Sequence, residues 1–213
     1  MNTATTANIQ NNNLTAFYHL PGLFEFYELY RIFLPLFRKH REYFYDWCEN
    51  GAPSDCIWGG GRTSFGYSDP KDVLDLVREY GISARLTFSN SLLREEHLTD
   101  KKCNELCKMF EHASDADNSP HTHRLQNGVI VHSELLLNYL QKNYPDLYLV
   151  SSTTKVLTDF QDFLTEINRE DFRYIVPDFR LNKVFDKLDL MSQHQKDKVE
   201  FLCNECCWFG CKD

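Results

Sequence analysis

The chain has no apolar stretch long enough to cross a bilayer and no excess of basic residues, and its first thirteen residues have neither a basic start nor an apolar core. Each absence removes a class of protein. Without a spanning stretch or a leader, the sequence predicts neither a membrane protein nor an exported one, and the expected compartment is cytoplasmic. A net charge of −8, from 31 acidic residues against 23 Lys and Arg, opposes broad attraction to nucleic-acid phosphates or anionic lipid, because both demand a basic surface. Glycines are missing where a nucleotide fold would need them. Gly59-Gly60-Gly61-Arg62 closes the first expected strand, but no helix opens directly behind it, so there is no phosphate-binding fingerprint.

What remains suits one packed domain. At 213 residues, with 42% apolar and 14% aromatic content, the chain can build a substantial core. Residues 1–16 are polar and without periodicity and read as a flexible tail, leaving 17–213 as a single domain. Eight cysteines with no export signal suit reduced thiols or metal ligands better than disulfides. An aromatic-rich segment over 23–47, interrupted by Pro35, is apolar on nearly every face. It predicts a helix covered on several sides, across one end of a barrel or against a partner chain.

Behind that helix the sequence repeats one pattern: a short apolar run, a polar cluster, then a one-sided amphipathic stretch. The runs fall at 55–58, 82–88, 129–131, 147–150, 174–176 and 199–202. Ser68-Asp69-Pro70 supplies a cap and a first-turn proline for a helix carrying Val73, Leu74 and Val77, and similar stripes follow His132 and Lys155. Repeated strand–helix units of this kind predict an α/β fold. A TIM-type (β/α) barrel is favoured, since only a closed ring turns every polar cluster toward one centre. About six units leave it incomplete, so the expectation includes a partner chain or a further segment that completes the ring.

In such folds chemistry sits where strands end. The polar clusters there nominate His132, Glu134, Asp178 and Arg180 as catalytic candidates. Arg62, Asn90, Ser152, Asn182, Asn204 and Glu205 are candidates for binding a peptide or small-molecule substrate. Each residue taken singly equally suits a cap or an ion pair, Asp178 with Arg180 being one such pair. Four thiols fall within nine residues at Cys203, Cys206, Cys207 and Cys211. Soft thiolates so spaced suit an iron–sulfur cluster or zinc, while Cys103 and Cys107, on the apolar stripe of a helix, read as buried core thiols.

Taken in order, several segments resemble the collagenase-like peptidase family, whose catalytic type is unknown, and its iron–sulfur relatives in anaerobic hydroxylation. They are Asn-Gly-Ala-Pro-Ser-Asp-Cys-Ile-Trp-Gly-Gly-Gly at 50–61, Leu-Thr-Phe-Ser-Asn at 86–90, and Tyr-Pro-Asp-Leu-Tyr-Leu-Val-Ser-Ser-Thr at 144–153. Two more are Tyr-Ile-Val-Pro-Asp-Phe-Arg-Leu-Asn at 174–182 and the cysteine-bearing stretch at 199–211. The resemblance implies a TIM-type barrel and a peptidase-like hydrolase or iron–sulfur-assisted modifying enzyme, with a non-catalytic barrel scaffold as the alternative. It also implies that Cys206 or Cys207, with Cys211, supply the first ligands of a four-cysteine cluster. Where the family has His-Gly and Arg-Glu, this chain has Asn204-Glu205 and Arg180-Leu181.

Overall fold

A computed structural model describes residues 17–39, 46–51, 56–59, 68–115 and 126–203. Strand and helix alternate along them: β1 (Phe17–Pro21), α1 (Tyr27–Lys39), β2 (Asp46–Gly51), α2 (Pro70–Tyr80), β3 (Ser83–Phe88) and α3 (Lys101–Asp115). Next come β4 (Gly128–Val131), α4 (Glu134–Asn143), β5 (Tyr148–Ser151), α5 (Phe160–Ile167), β6 (Tyr174–Ile175) and two short helices, α6 (Phe185–Leu188) and α7 (Gln193–Asp197). All neighbouring strands are parallel, and their order in the six-stranded sheet is the order of the sequence. Val199 adds a single parallel bridge to Ile175, so the chain starts a seventh position beside β6.

The sheet has two unlike faces because side chains alternate along each strand. Ala84, Leu86, Phe88, Val129, Val131, Leu149 and Ile175 join one large core with the apolar stripes of the helices. From the other face Ile130, Val150 and Val176 form a separate small cluster, flanked by Tyr148, Tyr174 and Leu202, to which no helix contributes. Among the described residues, the helices therefore cover one face. Local signals set their ends: Asp69 accepts from Lys71 N–H to open α2, Gly81 closes it in the left-handed region, and Ser133 and Asp159 cap α4 and α5.

Several expectations need correction. The run at 55–58 is no strand: Ile57–Gly59 is a 3₁₀ turn, held by Asn90 N–H to the Trp58 carbonyl and by Trp58 Nε1–H to the His97 carbonyl. The expected helix over 23–47 is shorter, with Pro35 inside α1 and Asp46 and Trp47 in β2. The run at 199–202 makes only the Val199 bridge. Among the described residues no ladder joins β1 to the other edge, so the structure shows a parallel α/β sheet, and the TIM-type barrel, expected as incomplete, is not shown. The expected tail, Arg62, Asn204, Glu205, Cys206, Cys207 and Cys211 lie outside the described residues. No helix of those described is long and apolar enough to cross a membrane.

The turn from β1 into α1 depends on Gly22. Its φ is +81°, and a Cβ there would stand 2.3 Å from the Phe26 ring. Gly22→Ala is expected to cost at least about 1–2 kcal/mol, from the left-handed backbone alone, before any displacement of Phe26. Urea denaturation of the two proteins checks this.

Candidate functional site at the strand ends

Three layers of side chains stand on the face that the helices leave uncovered. The lowest is polar. Arg85 of β3 is 2% exposed, and its Nη1 donates to Glu200 Oε2 at 2.8 Å and to His19 Nδ1 at 2.9 Å, while its Nε donates to the Tyr148 hydroxyl at 2.6 Å. Its guanidinium also lies 5.0 and 4.9 Å from the ring centres of Tyr148 and Tyr174. Because a guanidinium only donates, His19 Nδ1 must be the acceptor, which places its proton on Nε2, 3.2 Å from Glu200 Oε1.

Sequence pattern explains how β3 reaches β5. Arg85 is in register with Gly128, and Gly128 with Tyr148. A Cβ on Gly128 would lie 2.5 Å from the Tyr148 ring, so the missing side chain is the space through which Arg85 and Tyr148 meet. Burial pushes the Glu200 carboxyl up, but the Arg85 charge and the hydrogen bonding around it outweigh burial and hold it below the usual range.

Above this lies the apolar layer of Ile130, Val150 and Val176, and above that the ends of the strands. There His132, after β4, meets the turn after β5: His132 Nδ1 is 2.8 Å from Thr154 Oγ1, which is 2.8 Å from Ser152 Oγ. Burial, then the Lys155 charge, lower the His132 pKa against the opposing pull of Glu134, so the ring is neutral near pH 7. A neutral imidazole linked to two hydroxyls can accept a proton and return it. Asn182 donates to the Leu202 carbonyl at 2.7 Å, and its Oδ1 is buried without a partner.

The other candidates are bound into the framework. Asn90 donates to the Ile57 carbonyl and accepts from Leu92 N–H. Asp178 caps the turn after β6 by accepting from Arg180 N–H, with Arg180 Nη1 3.4 Å from its other oxygen. Glu134 lies on the helix side, gripped by both terminal nitrogens of Arg169 at 2.8 Å and by Lys155 at 3.1 Å. The Arg169 hydrogen bonds are the largest cause that holds its pKa down, to about 2. Lys155 and Arg169 also hold Glu166, which accepts from Ser151 at 2.6 Å, so α4, α5 and β5 share one ion cluster. A groove of about 530 Å³ opens at the opposite end of the strands, beside Tyr148, Phe172, Arg173 and Lys198, away from the His132 cluster.

Among the described residues no three His, Cys, Asp or Glu side chains converge on a metal position. Cys103 and Cys107 are buried, as expected. The Cys103 thiol, hydrogen-bonded to Cys56 and desolvated, and the desolvated Cys107 thiol are pushed well above the ordinary value, so both stay protonated. Sequence reading nominated His132 and Ser152 but not Thr154, and it passed over His19, Arg85, Tyr148 and Glu200. The signal for those four was a polar or hydroxylated residue inside a strand, or for Glu200 beside one, among apolar neighbours.

Two outcomes follow from these geometries. Glu200→Ala strands the buried Arg85 charge and is expected to cost about 3–5 kcal/mol, whereas Arg85→Met with Glu200→Leu should restore most of that loss. Chemical denaturation of the single and double variants measures both. Glu134 has a depressed pKa, so its contribution is complete above about 4.5 and fades as pH falls toward about 2. Melting temperature followed over that window should fall less steeply in Glu134→Gln than in the parent.

No protein-family model and no curated protein matches the chain. A solved structure does: the U32 peptidase Mk0906 is similar over 90% of this chain and 69% of that one, with a TM-score of 0.52 and 18% sequence identity. At that identity the likeness is one of fold, and the fold that this chain shares is that of a U32 peptidase structure.

Proposed function

We propose that the chain is the strand–helix part of a peptidase-type (β/α) barrel that binds peptide at the C-terminal ends of its strands, with His132 as the acid–base group. The observation that carries this reading is the linked set His132–Thr154–Ser152 at the ends of adjacent strands, in a chain that shares its fold with a U32 peptidase. Two further features support the barrel. The sheet is wound in sequence order, and its polar layer takes His19, Arg85, Tyr148 and Glu200 from alternate positions, as barrel interiors do.

In this reading neutral His132 takes a proton from water as the water oxygen attacks the peptide carbonyl. The imidazolium then returns that proton to the leaving amine as the C–N bond breaks. Thr154 and Ser152 orient the ring and pass hydrogen bonds to the substrate. Asn182 Oδ1, buried and unpartnered, would accept a peptide N–H, and Arg180, partly exposed beyond Asp178, would take a peptide carboxylate. Arg62, Asn204 and Glu205 belong to the same proposed binding surface. Cys206, Cys207 and Cys211 would hold an iron–sulfur cluster or zinc, supplying redox or Lewis-acid chemistry. A partner chain or further segment would complete the ring.

A second reading, a binding or scaffold protein, is favoured by one observation. Asn90, Glu134 and Asp178 all serve as ties or caps. Peptide hydrolysis and peptide binding, measured on protein purified without oxygen and analysed for iron, zinc and sulfide, separate the two. The catalytic reading expects turnover that rises through a pKa below the usual histidine value and falls about 10²-fold or more in His132→Ala. Binding without turnover would establish the scaffold, and turnover unchanged in His132→Ala would remove the histidine from the mechanism.

A further inference from the structure

Helix α1 and the turn before it carry two apolar seams, and among the described residues one of them packs on the body. Leu23, Phe24, Tyr30 and Leu34 are buried against the body, with Tyr27 and Phe37 half-buried beside them. Phe26, Leu29, Phe33 and Leu36 follow at spacings of three, four and three, with Ile32 on their flank, and stand 40–66% exposed. Helical geometry sets this second seam about a third of a turn from the first. The remaining strip holds Glu28 and Arg31, which share a groove with Asp72, Asp75 and Glu79 of α2. The open seam therefore faces away from α2, at the edge of the helical layer.

The charges beside the seam are self-complementary. In an antiparallel pair that sets Phe26 against Leu36 and Leu29 against Phe33, the residues flanking the seam on one side are Glu25, Ile32 and Lys39. Two-fold symmetry brings Ile32 against its own copy and Glu25 against Lys39 of the other chain, twice. Glu25 lies in the turn that leads into α1, tied there by Phe26 N–H to the Gly22 carbonyl. Glu25 is half-buried at the end of the seam. Lys39, at the other end of the helix, is exposed. From the seam and its self-complementary charge pattern, we infer that the occupant is a second copy of this chain, docked as an isologous dimer through antiparallel α1 helices.

Sedimentation equilibrium on the whole chain tests this, with circular dichroism confirming that each variant is folded. The parent should dimerise, and Ile32→Glu, placed on the two-fold axis, should raise the dissociation constant at least about tenfold. Glu25→Lys and Lys39→Glu each place like charges in both pairs and should weaken self-association. Mixed together they form a heterodimer with both pairs restored, expected to outcompete either homodimer by about tenfold. A monomeric parent, a dimer indifferent to Ile32→Glu, or statistical mixing of the charge variants would each overturn the assignment. In the first case the seam belongs to a different partner.

Discussion

The contact between Arg85, Glu200 and His19 sets the shape of the sheet. Residue 19 lies in β1 and residue 200 follows the bridge beyond β6, six strand spacings away. In a flat sheet at about 4.8 Å per spacing they would be roughly 29 Å apart, far beyond the reach of two side chains. Their polar atoms are 3.2 Å apart. The sheet must therefore curl until its two edges face each other across the interior, and Arg85, from β3, is the group on which both converge. Burying a guanidinium is costly, and its partners offset that cost without making the set a large net source of stability. What it supplies is specification: only one curvature satisfies Arg85, Glu200 and His19 together.

A second ion cluster, on the opposite face, has a different task. Glu134, Lys155, Glu166, Arg169 and Asp171 join the start of α4 to α5 and to the turn after β5. Lys155 Nζ and Arg169 Cζ also lie 4.6 and 4.8 Å from the Phe172 ring centre, so both cations face an aromatic ring as well as their carboxylates. This fixes the turn that presents Ser152 and Thr154. Because Glu134 and Glu166 are spent on cations, neither is poised to exchange protons near neutral pH. His132, on the inner side of the same turn, is hydrogen-bonded to the Thr154 hydroxyl and keeps an ionisable ring.

Four strands and the helices behind them were legible because each combines a buried apolar run with a one-sided stripe; β3 and β6 lie within the expected runs, and β4 and β5 each overlap theirs and extend one residue beyond it, at Gly128 and Ser151. β1 and β2 were not, and the reason is chemical. Asp-Trp-Cys-Glu-Asn-Gly of β2 has low strand propensity and no clean alternation, and Phe-Tyr-His-Leu-Pro of β1 precedes a longer aromatic stretch that reads as one helix. Those strands form by pairing with neighbours far along the chain. The site divides in the same way. His132 and Ser152 sit at strand ends, where a reading of polar clusters finds them. Residues 19, 85, 148 and 200 lie inside or beside strands and are joined by pairing register across Gly128 and by curvature, neither of which a local window contains.

The apolar layer between the two polar levels decides how they influence each other. Ile130, Val150 and Val176 separate the Arg85 level from His132 and Ser152 above it. Had the guanidinium reached the strand ends, its fixed positive charge would have joined that of Lys155 in depressing the histidine further. The causes that act on His132 are burial, Lys155 and Glu134, and Arg85 is not among them. The interior thus separates two demands: a charged group in mid-sheet holds the curvature, and a mainly apolar layer above it, which also takes in the buried Thr87 hydroxyl, leaves the proton affinity of the histidine to its own turn.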